Sequence, residues 1–250
     1  MKLIFNADDF GSHPTISRGI IQAIGQGAVR STTVLANMVD DESLSALAAL
    51  PQVSVGVHLN LTKGNPLTSL NPRYLEGGKF SRAKMYFPEG APLLRERVIR
   101  AEFEAQVGRL AEASIAITHL DSHQNIHAFV NVLHVAADIA LERGLAMRTL
   151  SPAMSAYLDW KGVRHPAMLI SGFFGKNNIG EVQLLSLLNS VRGKGGIMEV
   201  MCHPGLTAGL PREHTDYYEE REQELATLCS SGLKAWLEEN SVHLADYDDV

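Results

Sequence analysis

The sequence predicts an α/β fold with a largely parallel sheet, and within that class a (β/α) barrel, full or incomplete, formed as one domain over residues 1–250. Three observations carry the expectation. Eight short apolar runs alternate with longer segments of helical period. No Gly-rich phosphate loop follows the first run, which counts against a doubly wound sheet, the runner-up. The chain has 250 residues, 45% hydrophobic and 20% charged, so it can build one sizeable core without disulfide or metal staples. No internal repeat, low-complexity tract or linker divides it.

In chain order, the stretch LIFNADDFG supplies a strand over 2–6, followed by a helix over 16–26. A strand over 31–35, a helix over 42–49 and a strand over 53–57 come next. Residues 62–92 are rich in Gly, Pro and Asn and carry little periodicity. A loop of that length in a compact domain is either a lid or binding loop, or a floppy insertion. The helix over 93–113 is the clearest, with Val98, Ile99, Phe103, Val107 and Leu110 at helical spacing. Strands over 116–120, 146–150, 168–172 and 197–201 alternate with helices over 130–142 and 181–190. Helices over 217–228 and 233–239 and a short run over 242–245 close the chain.

Composition narrows the function. The formal net charge is −6 and no Lys/Arg run is present, which excludes nucleic acid as the expected partner. Cys202 and Cys229 are too few for a secreted disulfide framework. No signal peptide and no membrane span are read, so a cytoplasmic location is the expectation. The ten histidines are more informative, because imidazole serves as metal ligand and proton shuttle.

The unusual polar residues fall just after predicted strands. Asp8 and Asp9 follow the first, and His58 the third. His119, Asp121, His123 and His127 come with the fourth, and His203 follows the seventh. Taken singly, each has a bland reading: a helix cap for either Asp, a hydrogen-bonded structural role for a lone His, a core position for His119, and a surface position for His13 and His134. Taken together, four strand ends deliver acids and imidazoles to the one face where barrel active sites sit. His123 and His127, four apart, could share one side of a helical turn. Two adjacent carboxylates past a buried strand repel each other and are costly to desolvate. A divalent cation could hold one of them and leave the other free as a base.

The stretches NADDFG, STTVLANM, VGVHLNLT, THLDSHQNIH and CHPG, with the helix YYEEREQEL, resemble the YdjC-like carbohydrate deacetylases over nearly the whole chain. The resemblance implies a distorted (β/α) barrel like that of the polysaccharide deacetylases. It also implies hydrolysis of an N-acetyl group on an amino sugar or short oligosaccharide such as a chito-oligosaccharide, with one divalent metal ion, magnesium or zinc. Its motif positions put Asp9, His58 and His123 on the metal, Asp8 as catalytic base and His203 as acid. His127 is an alternative ligand or a supporting residue. Gln124 and Asn125 stand where the family pattern has two histidines.

Arg148, just after the fifth predicted strand, is a candidate to orient a carboxylate, the other reading being a salt-bridged surface position. Tyr157, Trp160 and Phe174 are candidates to stack on sugar rings, or else core residues. The expected partner is a small N-acetylated saccharide, and a homodimer is compatible with the chain. Two rival functions are a metal-dependent phosphoester hydrolase, which would need more bridging carboxylates, and a non-catalytic sugar-binding protein.

Overall fold

The computed structural model describes residues 1–81 and 94–250. The part of the 62–92 loop from residue 82 onward, and the first residue of the helix expected over 93–113, lie outside the described residues. The strands are β1 (Lys2–Phe10), β2 (Ser31–Val34), β3 (Ser54–Leu59), β4 (Leu75–Glu76), β5 (Lys79–Phe80), β6 (Ile117–Ser122), β7 (Ala146–Met147), β8 (Met168–Ile170), β9 (Ile197–Cys202) and β10 (His243–Leu244). Eight of them form one sheet in the order β7-β6-β3-β2-β1-β9-β8, with β10 beside the first residues of β1. Every pairing in that sheet is parallel. Among the described residues β7 and β8 are not paired, so the sheet is an incomplete, half-closed barrel.

Helices cover the sheet, and their ends follow local chemistry. They are α1 (Pro14–Gln26), α2 (Asp41–Ala48), α3 (Glu96–Glu112), α4 (Val130–Arg143), α5 (Pro152–Lys161), α6 (Glu181–Ser190), α7 (Glu219–Leu228) and α8 (Ser231–Glu239). The Asp40 side chain accepts from Ser43 N–H and opens α2, while Gly144, at φ +66°, closes α4 in the left-handed conformation that glycine adopts without steric cost. Helix α5 was not expected from periodicity. Its N-cap Ser151, first-turn Pro152 and terminal Gly162 are local signals. Only Met154 and Leu158 of its ten residues are buried, which leaves too thin an apolar stripe to read.

Two strands differ from expectation in ways that matter for the site. The predicted 146–150 strand ends at Met147, although Arg148 N–H still reaches Leu120 O at 3.0 Å. Strand β1 runs on to Phe10, four residues beyond its expected end, because Asp8 and Asp9 are buried with partners. At its end β1 advances from Ala7 to Phe10 while β2 advances only from Thr32 to Val34. That bulge falls on the two aspartates, with Asp9 at φ +71°. It breaks the alternation that would send neighbouring side chains to opposite faces.

The described part of the 62–92 segment is anchored. Glu102 of α3 accepts from Leu67 N, Thr68 N and Thr68 Oγ1. The β4–β5 hairpin buries Phe80, and the turn before it buries Tyr74. In β3, Gly56 leaves room for a histidine, since a Cβ there would sit 2.6 Å from His119 Nε2.

Candidate active site

The C-terminal ends of the parallel strands open into a cavity of about 660 Å³ lined by Asp8, Asp9, His58, His123, His203 and Arg221 among others. The bulge brings both aspartates to it. Each is held by a different arginine.

Asp8 is clasped from both sides by Arg148, at 2.7 Å (Nη1 to Oδ2) and 2.6 Å (Nη2 to Oδ1), and its Oδ1 also accepts from Asn6 Nδ2 at 2.8 Å. Burial by itself raises the pKa of that carboxyl, but the Arg148 charge and hydrogen bonds outweigh it and bring it down to about 2. Arg148 is completely buried, so the surface reading fails. It also lies 3.0 Å from Asp121 Oδ2 and donates to Glu199 Oε1 from Nε at 2.8 Å and Nη2 at 2.6 Å. One guanidinium thus serves three buried carboxylates, and they hold its pKa well above the usual value against its own desolvation.

Asp9 gives its Oδ2 to Arg221 Nη2 at 2.6 Å. Its Oδ1 faces His58 Nε2 at 3.5 Å and His123 Nε2 at 3.7 Å. Burial raises the Asp9 pKa, and Arg221 with the two histidines carries it well below the usual carboxylate range.

Outer partners set the two rings. His58 Nδ1 is 2.7 Å from Asp121 Oδ1 and 3.1 Å from Thr33 Oγ1, while His123 Nδ1 is 2.6 Å from Thr62 Oγ1. Each Nε2 is thereby turned toward Asp9. Burial lowers the His58 pKa, but Asp121, Asp9 and Asp8 raise it to about 10, whereas burial dominates at His123 and brings it to about 4.

His203 places Nε2 3.9 Å from Asp8 Oδ2, and its Nδ1 is buried with no hydrogen-bond partner among the described residues. Burial outweighs the charges of Asp8 and Asp9 and lowers its pKa. Its backbone N–H donates to Glu224 Oε2 at 2.5 Å, and Glu224 Oε1 accepts from the Tyr217 hydroxyl.

His127 is fully buried behind this group, with Nδ1 against Ser122 Oγ and Nε2 lacking a partner. The expected shared side of a helical turn with His123 does not form. Gln124 and Asn125 between them adopt positive φ (57° and 51°), which breaks the helical path. Phe174 lines the cavity, stacked on Tyr217 with centroids 4.6 Å apart. Tyr157 and Trp160 pack on each other on α5 and do not line it, and Trp160, 77% exposed, is no core residue either.

Asp8, His58 and Asp121 each present a donor atom within 4.8 Å of the others, close enough in principle to hold a metal ion. The residues that periodicity missed are Arg221, which pairs with Asp9, Glu199, which shares Arg148 with Asp8, and Glu224 with Tyr217, which brace the His203 backbone. Glu199 had a legible signal as the single charge in the apolar run IMEVMC. Arg221 sits among glutamates in YYEEREQEL and had none beyond the resemblance.

With this geometry in view, a profile of the family described as YdjC-like protein matches residues 2–239. The chain belongs to the YdjC-like family. A carbohydrate deacetylase of Halalkalibacterium halodurans is 33% identical over 232 residues, covering 91% of this chain and 95% of that protein. One of Clostridium beijerinckii is 31% identical and covers both chains fully. A solved structure from Enterococcus faecalis V583, provisionally named a cellobiose-phosphate cleavage protein, superposes with TM-score 0.87 at 30% identity, over 99% of this chain and 98% of that one. A family 4 acetyl xylan esterase from Clostridium thermocellum shares the fold alone (TM-score 0.57, 8% identity, covering 100% of this chain and 89% of that one). No described helix of this YdjC-like protein is long and apolar enough to cross a membrane.

Proposed function

We propose that this YdjC-like protein is a metal-dependent carbohydrate N-deacetylase that removes an acetyl group from an amino sugar or short chito-oligosaccharide. The relatives' names support the reaction class. The observation that carries the reading is Asp9 Oδ1, the oxygen that Arg221 does not take, flanked by two imidazoles whose Nε2 atoms face it.

The donor chemistry at that oxygen fits a cation. Two imidazoles oriented through Nδ1 by a carboxylate and a hydroxyl, plus one carboxylate oxygen, form an open set of the kind used in hydrolytic metal sites. Asp9, His58 and His123 would be the ligands, and two nitrogens in three favour zinc over magnesium. The tighter Asp8–His58–Asp121 group fits less well, because Arg148 already occupies the carboxylate oxygens of Asp8 and lies on Asp121, and a cation there would meet its charge.

A bound divalent ion supplies Lewis-acid polarisation of the acetyl carbonyl and makes water more acidic. The protein's part is proton handling. Asp8 accepts the proton of the attacking water, its rotamer fixed by Arg148. Burial lowers the His203 pKa, which favours a ring that takes up a proton and then gives it to the departing amine. Asp8 Oδ2, 3.9 Å from Nε2, is the neighbour that can pass one on. Phe174 offers its ring face to the sugar. A phosphoester hydrolase reading has less support, since Asp8, Asp121 and Glu199 are tied to Arg148 and none is free to bridge a second metal.

The test is to incubate zinc-loaded protein with N,N′-diacetylchitobiose and, separately, with phosphoesters, following acetate and phosphate. Acetate release that stops on chelation and returns with metal is the expected result. Phosphate release, or neither product, overturns the reading.

A further inference from the structure

Below the carboxylate pair lies a layer of buried polar groups that the proposed reaction leaves unused. Glu199 of β9 is fully buried. Its Oε1 receives both the Nε and the Nη2 of Arg148, and its Oε2 accepts from the Tyr247 hydroxyl at 2.6 Å. Tyr247 comes from the short turn Tyr247–Asp249, well after the strands that carry the site. Its ring is fully buried and stacks on His119, with centroids 3.6 Å apart and planes 3° from parallel. Its backbone N–H donates to Ser54 Oγ at 3.3 Å, and the turn is closed by a reciprocal cap between Asp246 and Asp249. The hydroxyl is therefore delivered to one place by a rigid mount.

We infer that Tyr247 is a positioning residue for the active site: through Glu199 it fixes the Arg148 guanidinium and, through that, the orientation of Asp8. The inference rests on the role proposed above for Asp8. The physical basis is competition for one donor group. Arg148 Nη2 lies 2.6 Å from Asp8 Oδ1 and also 2.6 Å from Glu199 Oε1. A carboxylate that loses a hydrogen-bond donor keeps more charge for its remaining partners. Without the Tyr247 hydroxyl, Glu199 pulls harder on the shared guanidinium and can turn about its last torsion, and Asp8 loses its two-point clasp. Small misplacements of a reacting group are costly in rate, whereas substrate affinity and the Asp9 side of the site do not depend on this contact.

Tyr247→Phe isolates the hydroxyl, because the ring and its stack on His119 remain. Wild type, Y247F, E199Q and the double variant are compared, each with bound metal, melting temperature, kcat and KM for acetate release from N,N′-diacetylchitobiose, and the NMR signal of the Arg148 Nε–H. In Y247F, kcat should fall about tenfold with KM within about twofold and a full metal complement. The Arg148 signal should shift or exchange faster, and the double variant should be no slower than E199Q alone. Unchanged kcat, or effects that multiply in the double variant, overturns the inference. If wild type releases no acetate, the functional reading fails by itself. The Arg148 signal still decides the coupling then: identical spectra in wild type and Y247F overturn it, and a shift upholds it.

Discussion

The floor and the mouth of the half-barrel treat charge in opposite ways. On the floor, Asp8, Asp121 and Glu199 converge on the fully buried Arg148, and nearly every polar atom has a fixed partner. At the mouth, Asp9 shares only one oxygen with Arg221, and His203 Nδ1, Asn125 Oδ1 and Arg221 Nε of the cavity lining are buried without partners among the described residues. Buried polar groups normally find partners, and the ones that face a cavity can be met by water or a bound group. Neighbouring aspartates thus do different work: Asp8 belongs to the rigid floor and Asp9 to the unfinished mouth. The strain of Asp9 at positive φ is tolerated because Arg221 and the bulge hold it there.

The strongest way to break this contrast is to remove the floor's cation. Arg148→Met leaves the buried Asp8 and Glu199 without their cation and Asp121 with His58 alone. Losing one partner of a buried pair costs about 3–5 kcal/mol, a large part of the roughly 5–15 kcal/mol that keeps a domain folded. The variant should be largely unfolded or melt far below wild type by calorimetry. A near-normal melting temperature would show that the floor carboxylates are protonated and need no cation.

Next in size is the pair itself. Asp8→Asn keeps two carboxylates on Arg148, so it should fold and retain metal, while acetate release drops by about 10²–10⁴-fold, the usual cost of losing a general base. Asp9→Asn should instead lose most of the metal. Metal analysis and rates on these two proteins test the division directly, and metal loss in Asp8→Asn would erase it.

Arg221→Lys sharpens the contrast. It preserves charge but not the planar group that gives Nη2 to Asp9 Oδ2 and Nη1 to His203 O, so geometry alone is tested. Zinc affinity, read by competition with a chromogenic chelator, should weaken about tenfold, the low end for outer partners of metal ligands. Unchanged affinity would mean that the bulge suffices to aim Asp9. The smallest effect belongs to Phe174→Ala at the rim. KM for a chito-oligosaccharide should rise about threefold to tenfold with kcat unchanged, as expected when one stacking contact is lost. A fall in kcat instead would tie Phe174, through Tyr217 and Glu224, to the placement of His203.

What the sequence by itself determined was local and periodic. Alternating runs specified a parallel α/β sheet, and the positions just after those runs put Asp8, Asp9, His58, His123 and His203 around one cavity, because parallel strands share one C-terminal end. The family motifs were continuous stretches and equally legible. Tertiary structure alone decided what each charge does. The partners of Asp8 and Asp9 lie 140 and 212 residues away along the chain, and no spacing rule connects them. Residues 8 and 9 alone suggest a cation on one aspartate with the other left as a base. The fold adds an arginine to each, and a bulge visible only in the register of β1 against β2 turns both toward the cavity. Burial also decides single residues: it puts Arg148 on the floor beside Asp8 rather than on the surface, His127 in a buried place rather than on a turn shared with His123, and the C-terminal Tyr247 at the base of the site. Periodicity reports which face a residue takes on its own element, whereas ion pairing depends on which distant elements the folded chain packs against it.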